Sequence, residues 1–330
     1  MTTTQIIQQI INAISLGAIY ALFSLGYALV LSVLGVLNLS HSAVFSWGAI
    51  FGLIMVKLDV VGTRLSDLYP DAWGWAASLP AVPLWLAFPA ALLMAGLLAV
   101  AVERLAFYPL RRRNAPRLSQ LISSIGMAIV LVNAGQWVMQ QTFGNTLDYF
   151  PGDIATTPAI EAFEVSVLES TGVRISFIRA LITVIALGLM ILLQTTLIRT
   201  KVGRAVRATA FSDRIAALLG VNTEQVYLLT FFLAGVLGGA AGMLYGIVFT
   251  NVQPFMGDAV SLVGLVAIVL GGMGSISGAV LGGFLVAALQ TFSVAAGSGS
   301  YRNTVIFLLL FIVLVVRPQG ILGQERQDRA

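Results

Sequence analysis

Apolar residues run through this chain in long blocks separated by short polar interruptions, with no sustained alternation of the kind a half-buried strand would show. Nine blocks approach the length of about 20 residues that a helix needs to cross a bilayer. They lie near 9–31, 40–57, 84–106, 118–141, 177–198, 225–250, 258–272, 276–296 and 302–317. Backbone amides and carbonyls must pair within the segment in lipid, so such blocks predict helices. The expected architecture is an all-α, polytopic integral membrane protein with about eight or nine transmembrane segments, some of them broken, in one transmembrane domain over 1–330. The opening "MTTTQIIQQI" carries no Lys or Arg. It lacks the basic start of a cleaved signal peptide and is expected to lead into the first spanning helix.

Two interruptions stand out. "SVLGVLNLSHSAVFSWG" places Asn38, Ser40, His41 and Ser42 inside an apolar run, which reads as a break followed by a helix N-cap. "GGMGSISGAVLGG" at 271–283 reads as either a tight turn or a broken helix. Residues 26–52 and 242–272 share one layout, an apolar helix, a polar break and a glycine-bearing helix, as internal repeats of transporters do. Gly235/Gly239, Gly238/Gly242/Gly246, Gly48/Gly52 and Gly274/Gly278/Gly282 fall four apart, the spacing that lets helix backbones approach closely in lipid. Asn12, Ser15, Asn133, Gln136 and Gln290 are expected to bridge helices by hydrogen bonds.

Composition sharpens this picture. The chain is 58% hydrophobic and 10% charged, with a mean hydropathy of +0.95, against about 25% charged for a soluble domain. No cysteine and a single histidine, His41, leave little for disulfides or for thiolate and imidazole metal sites. Charge then orients the chain. If 104–117, 199–224 and the C-terminus share one side, that side holds Arg104, Arg111, Arg112, Arg113, Arg117, Arg199, Lys201, Arg204, Arg207, Arg214, Arg317, Arg326 and Arg329, 13 of the 18 basic residues. Lys57, Arg64, Arg174, Arg179 and Arg302 remain opposite, among nine acids. The basic side is expected to be cytoplasmic, which puts 142–176 in an outer loop. With an odd number of crossings the N-terminus lies outside. The basic pI of about 9.6 reflects this topology; no basic patch is interleaved with aromatics at a base-stacking spacing, so no nucleic-acid partner is expected.

Several chemistries are missing. No GxxxxGK[ST] loop is present, since Lys57 follows Val56 and Lys201 follows Thr200, so ATP has no P-loop here. Glu103 and Asp258 fall at predicted span ends, where they do not suit a mid-membrane ion relay. A secondary transporter, an ion or water channel, and a membrane-embedded enzyme are the competing classes. The channel lacks a recognisable filter sequence, and the enzyme lacks a catalytic constellation. No cofactor is expected.

The segment "GRAVRATAFSDRIAALLGVN", 203–222, is too short and too charged to cross the bilayer. Helical spacing puts Arg204, Arg207, Phe211 and Arg214 on one stripe, with Ala208, Ile215, Leu218 and Leu219 on another. Gly220 suits the stop of a helix over 203–220. A helix resting among lipid headgroups and a helix docking on a cytoplasmic partner both fit this composition.

This segment resembles the cytoplasmic coupling loop of permease subunits in ABC importers for branched-chain and related amino acids, the LivH type. The resemblance continues in "VLNLSHSAVFSWGA", "VLGGMGSISGAVLGG" and "VVRPQGILG", in the family's order, and so covers nearly the whole chain. Ser42 stands where the family usually has Gly, and Phe211 where an acidic or polar residue is common. The resemblance implies an all-helical permease in a bacterial inner (plasma) membrane, moving branched-chain or other neutral amino acids inward; a urea or amide importer is the alternative within the family. It implies a second homologous permease subunit, two cytoplasmic ATP-binding subunits and an extracytoplasmic substrate-binding protein, with ATP hydrolysed in the partners. Gly203, Arg204, Arg207, Phe211, Asp213, Arg214 and Gly220 become candidate ATPase-coupling residues. Asn38, Ser40, His41, Gly271, Gly272, Gly274 and Ser275 become candidates for the translocation pathway, and both broken segments are expected near the centre of the fold.

Overall fold

The structure, a computed structural model, describes residues 3–151, 177–272, 274–297, 299–317 and 319–323. The expected outer loop falls largely on 152–176, outside the described residues. All nine apolar blocks are helical. We number the helices α1 (Thr3–Leu34), α2 (His41–Val56), α3 (Leu58–Leu68), α4 (Pro70–Trp73), α5 (Leu84–Val102), α6 (Tyr108–Arg112), α7 (Arg117–Phe143), α8 (Phe177–Arg199), α9 (Lys201–Phe211), α10 (Asp213–Leu218), α11 (Thr223–Phe249), α12 (Met256–Gly271), α13 (Ile276–Ala295) and α14 (Arg302–Val316). A π-helical turn, Glu103–Phe107, joins α5 to α6. Two short strands, β1 (Asp148–Tyr149) and β2 (Asn251–Val252), pair antiparallel.

Among the described residues six helices are long and apolar enough to span a membrane, fewer than the expected eight or nine; α2 with α3 makes a seventh only as a pair bent by 85°. α12 and α14 are shorter apolar helices. The bend falls at Lys57, whose side chain forms an ion pair with Asp148 at 2.9 Å. α3 beyond it is amphipathic, so it has no reason to continue through lipid.

The chain folds as two units, each drawing elements from both halves of the sequence. One contains α1, α8 to α10, α13, α14 and most of α12. There α1 packs along α13 and α8. Tyr20 donates to Gln290 Oε1 at 2.8 Å, Arg179 to Asn12 Oδ1 at 2.6 Å and Thr183 to Ser15 at 3.1 Å. Asn12, Ser15 and Gln290 are therefore interhelical partners, whereas Asn133 bonds the Ile129 carbonyl of its own helix. The other unit contains α2 to α7, α11 and both strands. There α11 packs on α5 and α2. Gly239 of α11 lies against Gly48 and Ala95, and Gly235 against Ala95 and Ala99, so the glycine spacing does serve close helix approach.

The repeat seen in sequence has a structural counterpart. α1 and α11 each end in a residue-scale break, 35–40 and 250–255, opening at positive φ (Gly35 at 68°, Thr250 at 58°). A helix of 16 residues follows each break. Within its unit α2 meets α11 at Gly48–Gly239, and within the other α12 meets α1 at Gly264–Phe23.

Candidate functional site

The first candidate surface is built from α9 and α10. Thr200 starts α9: its hydroxyl accepts from the Gly203 amide at 3.1 Å, satisfying one of the amides a helix leaves open at its start. Gly203 sits on the Leu197 carbonyl so closely that a β-carbon would overlap it. Arg207 donates to that same carbonyl, closing the last turn of α8. The buried face of α9 is Gly203, Val206 and Thr209. Arg204, Arg207 and Phe211 face outward.

The single helix expected over 203–220 is two helices. At Ser212 the backbone is extended (φ −161°, ψ 115°) and the side chain caps the next helix, accepting from Ile215 at 3.3 Å. Serine followed by Asp213 favours a cap over a helix interior, because the hydroxyl competes for backbone partners and the carboxylate suits a first turn. α10 is short, and Gly220 at φ +83° closes it as expected. Phe211 is 80% accessible, Leu218 82% and Leu219 76%, and Arg204, Arg207, Asp213 and Arg214 are exposed as well. Leu218 and Leu219, assigned in sequence to a second stripe, are about as exposed as Phe211.

The second candidate region is the break before α2. Asn38, Ser40, His41 and Ser42 are all buried. The expected N-cap is present in position but not in bonding: Ser40 makes no side-chain cap. Asn38 Oδ1 instead accepts from the Ser40 amide at 3.2 Å and hydroxyl at 2.5 Å, an Asx-type turn. Ser42 Oγ donates to the Leu39 carbonyl at 2.9 Å, and the Leu39 amide reaches Ser124 Oγ of α7 at 3.3 Å. The His41 ring packs on α11, where a β-carbon at Gly238 would come within 2.7 Å of its Cε1.

The starts of α2 and α12 meet in this unit. Ser46 Oγ accepts from the Gly257 amide at 2.9 Å, and Gly257 lies on the Ser42 carbonyl with no room for a β-carbon. Two helix N-termini thus converge on buried backbone, with their positive dipole ends near each other. Sequence reasoning missed Ser46 and Gly257; the polar break of the repeat at 250–255 was the available signal.

Gly271, Gly272, Gly274 and Ser275 form the turn between α12 and α13, which resolves the choice between a turn and a broken helix. Gly272 and Gly274 adopt φ +109° and +91°, and Ser275 caps α13 by accepting from Gly278 at 3.0 Å. The chain after α14 folds back on this turn. The amides of Ile321 and Leu322 donate to the Leu270 and Gly271 carbonyls at 2.8 and 2.9 Å, two of the carbonyls a helix leaves open at its end. The two sequence-predicted breaks therefore lie in different units, each with partners of its own.

A family model described as "Branched-chain amino acid transport system / permease component" matches residues 9–314. The high-affinity branched-chain amino acid transport system permease protein BraD of Pseudomonas aeruginosa is 32% identical, over 98% of this chain and 97% of its own. The corresponding protein LivH of Escherichia coli K12 is 31% identical over 98% and 97%. Ribose import permease protein RbsC of Escherichia coli K12 is 27% identical over 34% of this chain and 39% of its own. No solved structure matches. With six long apolar helices among the described residues, buried glycine crossings and a match from residue 9 to 314, this multi-pass membrane protein belongs to the family of branched-chain amino acid transport permease components.

Proposed function

We propose that the chain is the transmembrane permease subunit of an ABC importer that carries branched-chain or other neutral amino acids inward. The observation that carries this reading is the near-complete match to permeases named for branched-chain amino acid transport. The absence of a P-loop from the sequence assigns ATP hydrolysis to partners. The complex contains a second homologous permease subunit, two cytoplasmic ATP-binding subunits and an extracytoplasmic substrate-binding protein, in the inner (plasma) membrane of a bacterium. α9, α10 and the C-terminus face the cytoplasm, in keeping with the excess of Arg and Lys on those segments.

The face of Arg204, Arg207, Phe211, Asp213 and Arg214, bounded by Gly203 and Gly220, seats in the ATP-binding subunit and conveys its closure to the spans on either side. Its support is an apolar centre with charged edges, the makeup of an anchor in a protein interface. The substrate passes beside the breaks at Asn38, Ser40 and His41 and at Gly271, Gly272, Gly274 and Ser275, since non-helical backbone at membrane depth is tolerated only where protein or a cavity covers it.

Reconstitution tests the reading. In vesicles the chain alone is expected neither to hydrolyse ATP nor to concentrate amino acids, and with its partners to import leucine, isoleucine or valine only when ATP is supplied. Uptake driven by a proton or sodium gradient without the ATP-binding subunits would overturn it, and ATP-driven uptake of urea or amides in place of amino acids would reassign the substrate.

A further inference from the structure

A charged cluster with no part in the candidate site lies where α5 ends and α11 begins. The Glu103 carboxylate is fully buried. Its Oε1 accepts from Arg111 Nη2 at 2.7 Å, and Arg104 Nε lies 3.9 Å from its other oxygen. The Arg111 guanidinium in turn covers the ring of Tyr227, 3.8 Å from its centroid, in the second turn of α11. One helical turn away, Phe107 and Phe231 form a second rung at 5.2 Å between centroids. Residue spacing explains the pairing. Phe107, the last residue of the π-helical turn, and Arg111 of α6 are four apart, as are Tyr227 and Phe231 on α11, so the two rungs lie one turn from each other. The π-helical turn at 103–107 interrupts the α-helical register just there, as such turns do when a side chain must be aimed differently.

A buried carboxylate is costly unless paired, and a guanidinium bound on one side by that carboxylate and on the other by an aromatic face has little freedom to move. Arg111 therefore ties the first turns of α11 to the end of α5. α11 is also the first helix after the α9–α10 pair. Only Leu219, Gly220, Val221 and Asn222 intervene, and Asn222 caps α11 by accepting from Gln225 at 3.2 Å. The chain thus links α10 to the capped end of α11, a few residues before Tyr227.

We propose that Arg111 is a positioning residue for energy coupling: held by Glu103 and stacked on Tyr227, it makes α11 and α5 move as one body when the α9–α10 face is displaced. This rests on the importer reading above. Without the clamp, motion of α10 would be absorbed by fraying of the first turns of α11, and ATP would be hydrolysed without matching transport.

The test uses the complete importer with its binding protein in vesicles, and reads amino acid transported per ATP hydrolysed. Tyr227→Leu removes the ring face while keeping apolar bulk, and is expected to lower that ratio by about tenfold, the order of one cation–π contact, with the amount of assembled complex unchanged. Tyr227→Phe keeps the ring and is expected to restore the parent ratio. Glu103→Gln, which frees Arg111 from its ionic partner, is expected to lower the ratio in the same direction. An unchanged ratio in Tyr227→Leu would overturn the proposal. So would equal damage in Tyr227→Phe, or a loss of assembly and transport in step with an unaltered ratio, since each reports a packing role alone. If Glu103→Gln fails to assemble, the Leu and Phe pair at 227 decides. Failure of the parent complex to import amino acids with ATP would instead strike the importer reading, so the two failures are distinguishable.

Discussion

Gly242 of α11 rests directly on the backbone of Phe45 in α2, and a β-carbon at position 242 would overlap the Phe45 carbonyl oxygen. The contact is backbone on backbone, so no side-chain rotation relieves it. Gly242→Ala is expected to force the helices apart and to cost about 1–3 kcal/mol, read as a lower melting temperature of the solubilised protein. Gly188→Ala in α8, where a β-carbon meets nothing within 4 Å, is expected to leave the melting temperature unchanged or raise it slightly, because alanine favours a helix interior.

Phe211 ends α9 with 80% of its surface open, so its replacement removes nothing from the packed interior. Phe211→Asp is expected to leave membrane insertion and melting temperature as they are. It is expected to weaken retention of the ATP-binding subunits in co-purification by more than tenfold, corresponding to the ~2 kcal/mol typical of an interface anchor. Leu218→Asp in α10 is expected to act in the same direction. Wild-type retention in both variants would remove the docking role from this surface.

Asn38 Oδ1 accepts two hydrogen bonds from Ser40. Asn38→Ala leaves two buried donors unmet and is expected to cost about 1–3 kcal/mol. Thermal unfolding of this variant checks the role of the oxygen.

The turn after α12 depends on amides from beyond α14. Leu322→Pro removes the donor to the Gly271 carbonyl, and is expected to cost about 1–3 kcal/mol because that carbonyl is buried. Amide hydrogen exchange in the last turn of α12 and in 270–275 is expected to accelerate, while exchange in α11 stays at the parent rate.

Some local choices were readable from adjacent residues alone. Gly220 closes α10 at positive φ as its type suggests. The split at Ser212 was also legible, because Ser-Asp is a cap signal, yet the arginine and apolar periodicity of 203–220 masked it. The turn at 271–275 shows the opposite situation. Its glycines announce a change of direction, but nothing local says that Ile321 and Leu322, some fifty residues on, will supply the missing amides.

By itself the sequence determined that the protein is a helical membrane protein, and where its nine apolar helices lie. Lipid offers no hydrogen bonds, so length and hydropathy decide the backbone conformation before any packing occurs. It also carried the family, through motifs spread over nearly the full chain. Tertiary structure decided what hydropathy cannot encode. It bent the chain by 85° between α2 and α3, brought the starts of α2 and α12 together through Ser46 and Gly257, and buried Glu103 against Arg111 and Tyr227. These depend on which glycines, amides and charges meet from distant parts of the chain. Every apolar helix face is equally at ease against lipid, and only close backbone approach and polar pairing select one arrangement among many.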